Sequence, residues 1–115
     1  MNLFAYGSLA DRRAIAKVIG RTLPNAISAT LRGYQKHETT LGYPIILPEQ
    51  SAECKGVVYY SLTPSDWERL DIYENLHNQP PAYTRKLVTV EGTHGRISAY
   101  VYVGNLNFFR TRIKK

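Results

Sequence analysis

Two stretches of this 115-residue chain carry residue types that can do chemistry together. The first is Tyr6-Gly7-Ser8-Leu9, just behind the short apolar run Leu3–Tyr6. A buried strand that breaks at a glycine and passes into a helix leaves main-chain N–H groups unpaired. The first helical turn adds its own free donors and the positive end of its dipole. Such a corner is an anion seat, and a glycine there lets a ligand approach the backbone closely. The second stretch is Trp67, Leu70 and Glu74, spaced i, i+3 and i+7. On a helix over residues 64–74 that spacing aims all three inward, so a carboxyl is carried toward the core at the last turn. Burial and the negative end of the dipole both raise its pKa, and a raised carboxyl pKa suits general acid/base work near neutral pH. The same residues leave an alternative: the helix stops at Tyr73, and Glu74 is solvated or pairs with Arg85. Asp71 competes for the inward position.

The elements that must position these groups follow from periodicity. Asp11 caps a helix running to about Ile19, with Ala14, Ile15, Val18 and Ile19 on one stripe and Gly20 at its end. Pro24-Asn25 is a turn signal. Alternating Ile27, Ala29 and Leu31 predict a strand over 26–34, with a bulge or bend at Gly33. Pro44 and Pro48 demote the apolar stretch within 39–51 to an edge strand or packed loop. Residues 53–62, rich in β-branched and aromatic types, predict a central strand. Thr63-Pro64-Ser65-Asp66 announces the second helix in capping-box style. After a polar loop over 75–81, strands 83–91 and 97–103 flank a Gly92–Gly95 turn as a hairpin. Phe108, Phe109 and Ile113 mark a short capping segment. One domain over residues 1–115 is expected, a mixed α+β fold with a strongly curled, barrel-like sheet of about five or six strands and flanking helices.

Composition narrows the function classes. The chain is 43% hydrophobic and 21% charged, ordinary for a globular domain. No apolar run of membrane-spanning length occurs, and no signal peptide is expected ahead of the first strand. Cys54 is the sole cysteine, so a cytoplasmic, reduced setting is expected and Cys54 reads as a core or edge residue. The net charge of +6 owes four units to Arg110, Arg112, Lys114 and Lys115. That is a solvated basic tail rather than a nucleic-acid footprint. His37, His77 and His94 lack the paired spacing of a metal site.

Tyr6-Gly7-Ser8-Leu9 behind an N-terminal strand, Tyr43-Pro44, Leu70-Asp71-Ile72-Tyr73-Glu74, and then Tyr83-Thr84-Arg85 together resemble the γ-glutamyl cyclotransferase-like family. The resemblance covers nearly the whole chain and fits the compact bacterial-type members. It implies release of 5-oxoproline from a γ-glutamyl amino acid or γ-glutamylamine, without metal or cofactor. It implies further that Tyr6, Gly7, Ser8 and Leu9 hold the substrate's α-carboxylate and that Glu74 shuttles the proton. Tyr83 reads either as a substrate or Glu74 partner or as strand-end packing; Tyr34 and Tyr43 are weaker cases of the same kind. The loop 75–82 is the expected determinant of substrate choice. A small-molecule γ-glutamyl substrate is the expected partner, with no nucleic acid and no membrane, in a monomer or homodimer. The competing reading keeps the fold as a non-catalytic binding module for a small carboxylate metabolite.

Overall fold

Alternation along five strands decides the architecture. In the computed structural model, which describes residues 1–23, 25–74 and 81–114, the strands are β1 (Leu3–Ala5), β2 (Ala26–His37), β3 (Ile45–Tyr59), β4 (Tyr83–Gly92) and β5 (Gly95–Gly104). They close into a barrel in the order β1-β3-β2-β4-β5, antiparallel except where Leu3 of β1 meets Tyr100 of β5 in parallel. Phe4, Ala29, Leu31, Val58, Val90, Ala99 and Val101 fill one cluster drawn from every strand, the barrel interior. Their neighbours Leu3, Ala5, Tyr59 and Tyr102 point the other way, as the two-residue period requires. They pack against α1 (Arg12–Ile19), α2 (Pro64–Tyr73) and α3 (Leu106–Phe109) through Ile15, Ile19, Trp67, Leu70 and Phe109. Among the described residues, no helix is long and apolar enough to cross a membrane.

Both longer helices carry the predicted caps. The Asp11 side chain accepts from the Arg13 amide, and α1 ends at Gly20. Thr63 and Asp66 form a reciprocal capping box, with Pro64 at the first helical position. The β4–β5 hairpin and the bulge at Gly33 also appear where expected; the register shifts between Arg32 and Tyr34, and Gly33 takes φ +87°. The Pro24 turn and the loop over 75–80, including His77, lie outside the described residues.

Two expectations are corrected. Residues 39–51 and 53–62 do not form separate elements: Ile45 to Tyr59 is one strand, paired with β2 over Ile45–Pro48 and again over Glu53–Tyr59. Pro48 is tolerated because β1 bonds only to Val57–Tyr59, which leaves the first half of β3 with a single bonded neighbour. The basic tail is not simply solvated. Ile113 bridges to Thr39, the Thr40 amide donates to Arg112 O (2.7 Å), and the Lys114 amide donates to Glu38 O (2.8 Å). The Arg112 guanidinium lies over Phe108 at 4.5 Å and its Nη1 donates to Phe108 O, so the tail's backbone and one of its charges are tied down.

Barrel closure depends on one close approach. A Cβ on Gly56 would stand 2.3 Å from Ala5 O and 2.8 Å from Phe4 Cζ. Gly56→Ala must therefore push β1 away from β3, and chemical denaturation is expected to show a loss of roughly 1–3 kcal/mol. An unchanged midpoint would mean that β1 sits elsewhere.

Candidate active site

The loop after β1 is shaped by three contacts. Residues Ser8–Ala10 form a single 3-10 turn, closed by the Ala10 amide donating to Gly7 O at 3.0 Å. From β3, the buried Tyr59 hydroxyl donates to Leu9 O (2.8 Å), with Ala10 O at 3.0 Å, pinning the turn from behind. Pro44 packs over Gly7, where a Cβ would meet Pro44 Cγ at 3.2 Å. Leu9 sends its side chain into the core, whereas Ser8 is exposed. Among the described residues, none accepts from the Ser8 or Leu9 amide. The expected helix dipole is not at this corner. The 3-10 turn intervenes, α1 begins only at Arg12, and Asp11 caps it. Any anion seat here rests on open amides alone.

Across from the loop stands Glu74. Helix α2 does end at Tyr73, yet Glu74 at its C-cap still faces inward, its amide bonded to Leu70 O at 2.9 Å. Tyr6, Gly7, Ser8, Leu9, Glu74 and Tyr83 all line one cavity of about 450 Å³, together with Leu3, Phe4, Ala5, Tyr43, Pro44, Tyr73 and Tyr102. The residues singled out as site candidates thus line one cavity, except Asp71 and Tyr34, the latter packing toward the barrel interior. Arg85 does not pair with Glu74. Its Nη1 bonds both Asp71 oxygens (3.1 and 3.0 Å), which takes Asp71 out of contention for the cavity-facing position.

Among the described residues, no side chain donates a hydrogen bond to the Glu74 carboxyl. Its surroundings are apolar or phenolic, and burial lifts its pKa from 4.5 to about 7. The phenols around it respond in turn. Burial first and the Glu74 charge second push Tyr6 and Tyr43 up; burial dominates at Tyr83 and Tyr102 as well. All four stay protonated over the working pH range and act as hydroxyls. Tyr6 donates to Tyr102 O (2.6 Å), and Tyr102 donates to Asp71 Oδ1 (2.7 Å). Tyr83 reaches Pro44 O at 3.4 Å and packs edge-on against Phe109, so it has both a cavity face and a packing role.

Sequence reasoning passed over Tyr102 and Tyr73 and gave Tyr43 too little weight. A signal for Tyr102 was present: Tyr100 and Tyr102 alternate against Ala99 and Val101. Two large aromatics on the outer face of a strand mark a face that something covers, here α2 through Trp67. Nothing in the local pattern marks Tyr43, which reaches the cavity because Thr39 Oγ1 bonds Tyr43 O (2.6 Å) and the tail ties down residues 38–40. His37 ends β2 and His94 sits exposed in the hairpin turn, both away from the cavity. Cys54 is buried among the barrel-interior residues. Among the described residues, no group of three or more His, Cys, Asp or Glu side chains could hold a metal ion.

The architecture has known counterparts. A family model described as gamma-glutamyl cyclotransferase, AIG2-like, matches residues 3–113. Protein AIG2 C of Arabidopsis thaliana is 26% identical over 104 residues, which cover 89% of this chain and 61% of that protein. The chain therefore spans less than two thirds of that curated relative. An Arabidopsis thaliana protein solved in solution superposes with a TM-score of 0.77 at 29% identity, over 90% of this chain and 67% of the other. A structure described as a gamma-glutamyl cyclotransferase gives a TM-score of 0.74 at 21% identity, over 91% and 66% of the two chains, a likeness of fold alone.

Proposed function

This chain belongs to the gamma-glutamyl cyclotransferase, AIG2-like family, and from that premise we propose that it converts a γ-glutamyl amino acid or γ-glutamylamine into 5-oxoproline and a free amine. The observation that carries the reading is a carboxyl, lifted by burial to a pKa of about 7 and without a side-chain donor among the described residues, that lines one cavity with Ser8 and Leu9, whose amides meet no acceptor among the described residues. A module that only bound carboxylates would gain nothing from an acid opposite its anion seat.

The chemistry asks for one proton carrier. The substrate's α-ammonium gives a proton to the Glu74 carboxylate, and the freed lone pair attacks the γ-carbonyl carbon of the same molecule. The γ-C–N bond then breaks as the Glu74 carboxyl returns the proton to the departing nitrogen. The new ring nitrogen still carries a second proton, which the regenerated Glu74 carboxylate takes and hands to the freed amine. So 5-oxoproline forms with one N–H, the amine leaves as an ammonium and Glu74 ends as the carboxylate. A group with a pKa near the working pH serves both halves. The attack is intramolecular, so the protein's larger task is to hold the chain folded back on itself, with the α-carboxylate on the Gly7–Leu9 amides. Tyr6 and Tyr83 line the space between.

A screen of γ-glutamyl amino acids and γ-glutamylamines for 5-oxoproline release tests this directly. Turnover is expected on at least one class, and a wild-type protein that binds these compounds without releasing 5-oxoproline would leave the binding-module reading in its place.

A further inference from the structure

Hydrogen-bond polarity around Tyr102 says more about that site than its shape does. A phenol has one proton to give and lone pairs to receive with. Tyr102 spends its proton on Asp71 Oδ1 at 2.7 Å. The hydroxyl is held in that direction, because Arg85 Nη1 donates to both Asp71 oxygens and fixes the acceptor in place. Arg85 is itself fixed, with its guanidinium 4.8 Å from the Trp67 ring centroid and 5.4 Å from that of Tyr100. Tyr102 meanwhile lines the cavity with Glu74, close enough for the Glu74 charge to act on its hydroxyl. It can therefore offer the cavity only a lone pair.

We propose that Tyr102 accepts a hydrogen bond from the substrate's α-nitrogen, and that Asp71 and Arg85 are positioning residues that keep its hydroxyl turned the right way. The assignment rests on the reaction given under Proposed function for its catalytic meaning. When Glu74 has taken one proton, the α-nitrogen still carries N–H bonds, and an acceptor on one of them aims its lone pair at the γ-carbonyl.

The polarity can be inverted with one atom. In Asp71→Asn the amide oxygen is drawn to the Arg85 donors, so the Nδ2 group faces Tyr102. Tyr102 must then receive from Asn and point its own proton into the cavity, against the substrate's N–H. Tyr102→Phe merely deletes the acceptor. Adding Tyr102→Phe to Asp71→Asn removes the misdirected hydroxyl, so the double variant should outperform Asp71→Asn alone.

The experiment compares binding of L-glutamate with that of glutarate, which lacks the amine, by calorimetry at pH 8 in wild type, Tyr102→Phe, Asp71→Asn and the double variant. Turnover on γ-glutamyl substrates is measured in parallel. The preference for glutamate is expected to fall roughly tenfold or more in Tyr102→Phe, the worth of a hydrogen bond to a charged group. It should fall further in Asp71→Asn and recover partly in the double variant. An unchanged preference in Tyr102→Phe overturns the proposal even if Asp71→Asn fails to fold, as do additive losses in the double variant. A wild type that discriminates as described but releases no 5-oxoproline leaves the acceptor in place and removes the reaction.

Discussion

Glu74→Gln should fold as the wild type does and lose roughly 10²–10⁴-fold in kcat for 5-oxoproline release, the usual worth of a positioned acid/base group. Glutamine keeps the shape and one acceptor oxygen but carries no transferable proton. The loss should fall on kcat more than on KM, because the Gly7–Leu9 loop proposed to seat the α-carboxylate is untouched. The wild-type pH profile gives a second reading of the same residue. Glu74 must be ionised to take the first proton, and burial places its pKa near 7. Below that value kcat/KM is expected to fall about tenfold per pH unit, since this ratio reports the free enzyme. A carboxyl titrating at its ordinary value would keep the rate level down to about pH 5. Full activity in Glu74→Gln would end the mechanism.

The same buried carboxyl should make folding stability depend on pH in a direction opposite to the usual carboxylate. Folded Glu74 keeps its proton up to about pH 7, whereas unfolded it releases the proton near 4.5. Between these values the native state binds more protons than the unfolded state, so stability drops as pH rises. The contribution is whole below pH 4.5 and gone once pH has passed 7. The shift corresponds to about 3 kcal/mol at most, reduced by whatever water the open cavity admits. Glu74→Gln lacks the titration, so denaturation measured from pH 4 to 8 should show the variant gaining on wild type by up to that amount. Asp66 works in the opposite sense: the Arg21 hydrogen bond holds its pKa down, so its contribution fades as pH falls. It is common to both proteins and cancels in the difference. Parallel curves would mean that Glu74 is solvated.

Where local chemistry settles a conformation, the chain announces it. Asp11 before Arg12–Ile19, Thr63-Pro64-Ser65-Asp66 before α2, and the Gly92–Gly95 hairpin each satisfy their own backbone donors within a few residues, and each forms as read. The Trp67–Leu70–Glu74 spacing survives even the early end of α2, because C-cap geometry still turns residue 74 toward the face its stripe defines. By contrast, whether Pro44 and Pro48 leave residues 39–51 an edge strand or a packed loop depends on whether a proline's missing N–H would have had a partner. Only the short reach of β1 along β3 answers that.

The sequence alone therefore determined the caps and the hairpin, since each rests on contacts within one or two turns of chain; the inward acid it offered as one of two readings, and the glycine corner without its 3-10 turn. Tertiary structure alone decided which residues face the acid. Tyr43 arrives through the Thr39–Ile113 bridge, and Tyr102 through burial of a strand's outer face under α2. Whether Arg85 neutralises Glu74 or Asp71 was likewise open until the strand carrying it was set against the helix. The physical reason is common to all three: an ion pair or a cavity wall joins segments tens of residues apart. Its partners are chosen by barrel closure, which no local pattern encodes.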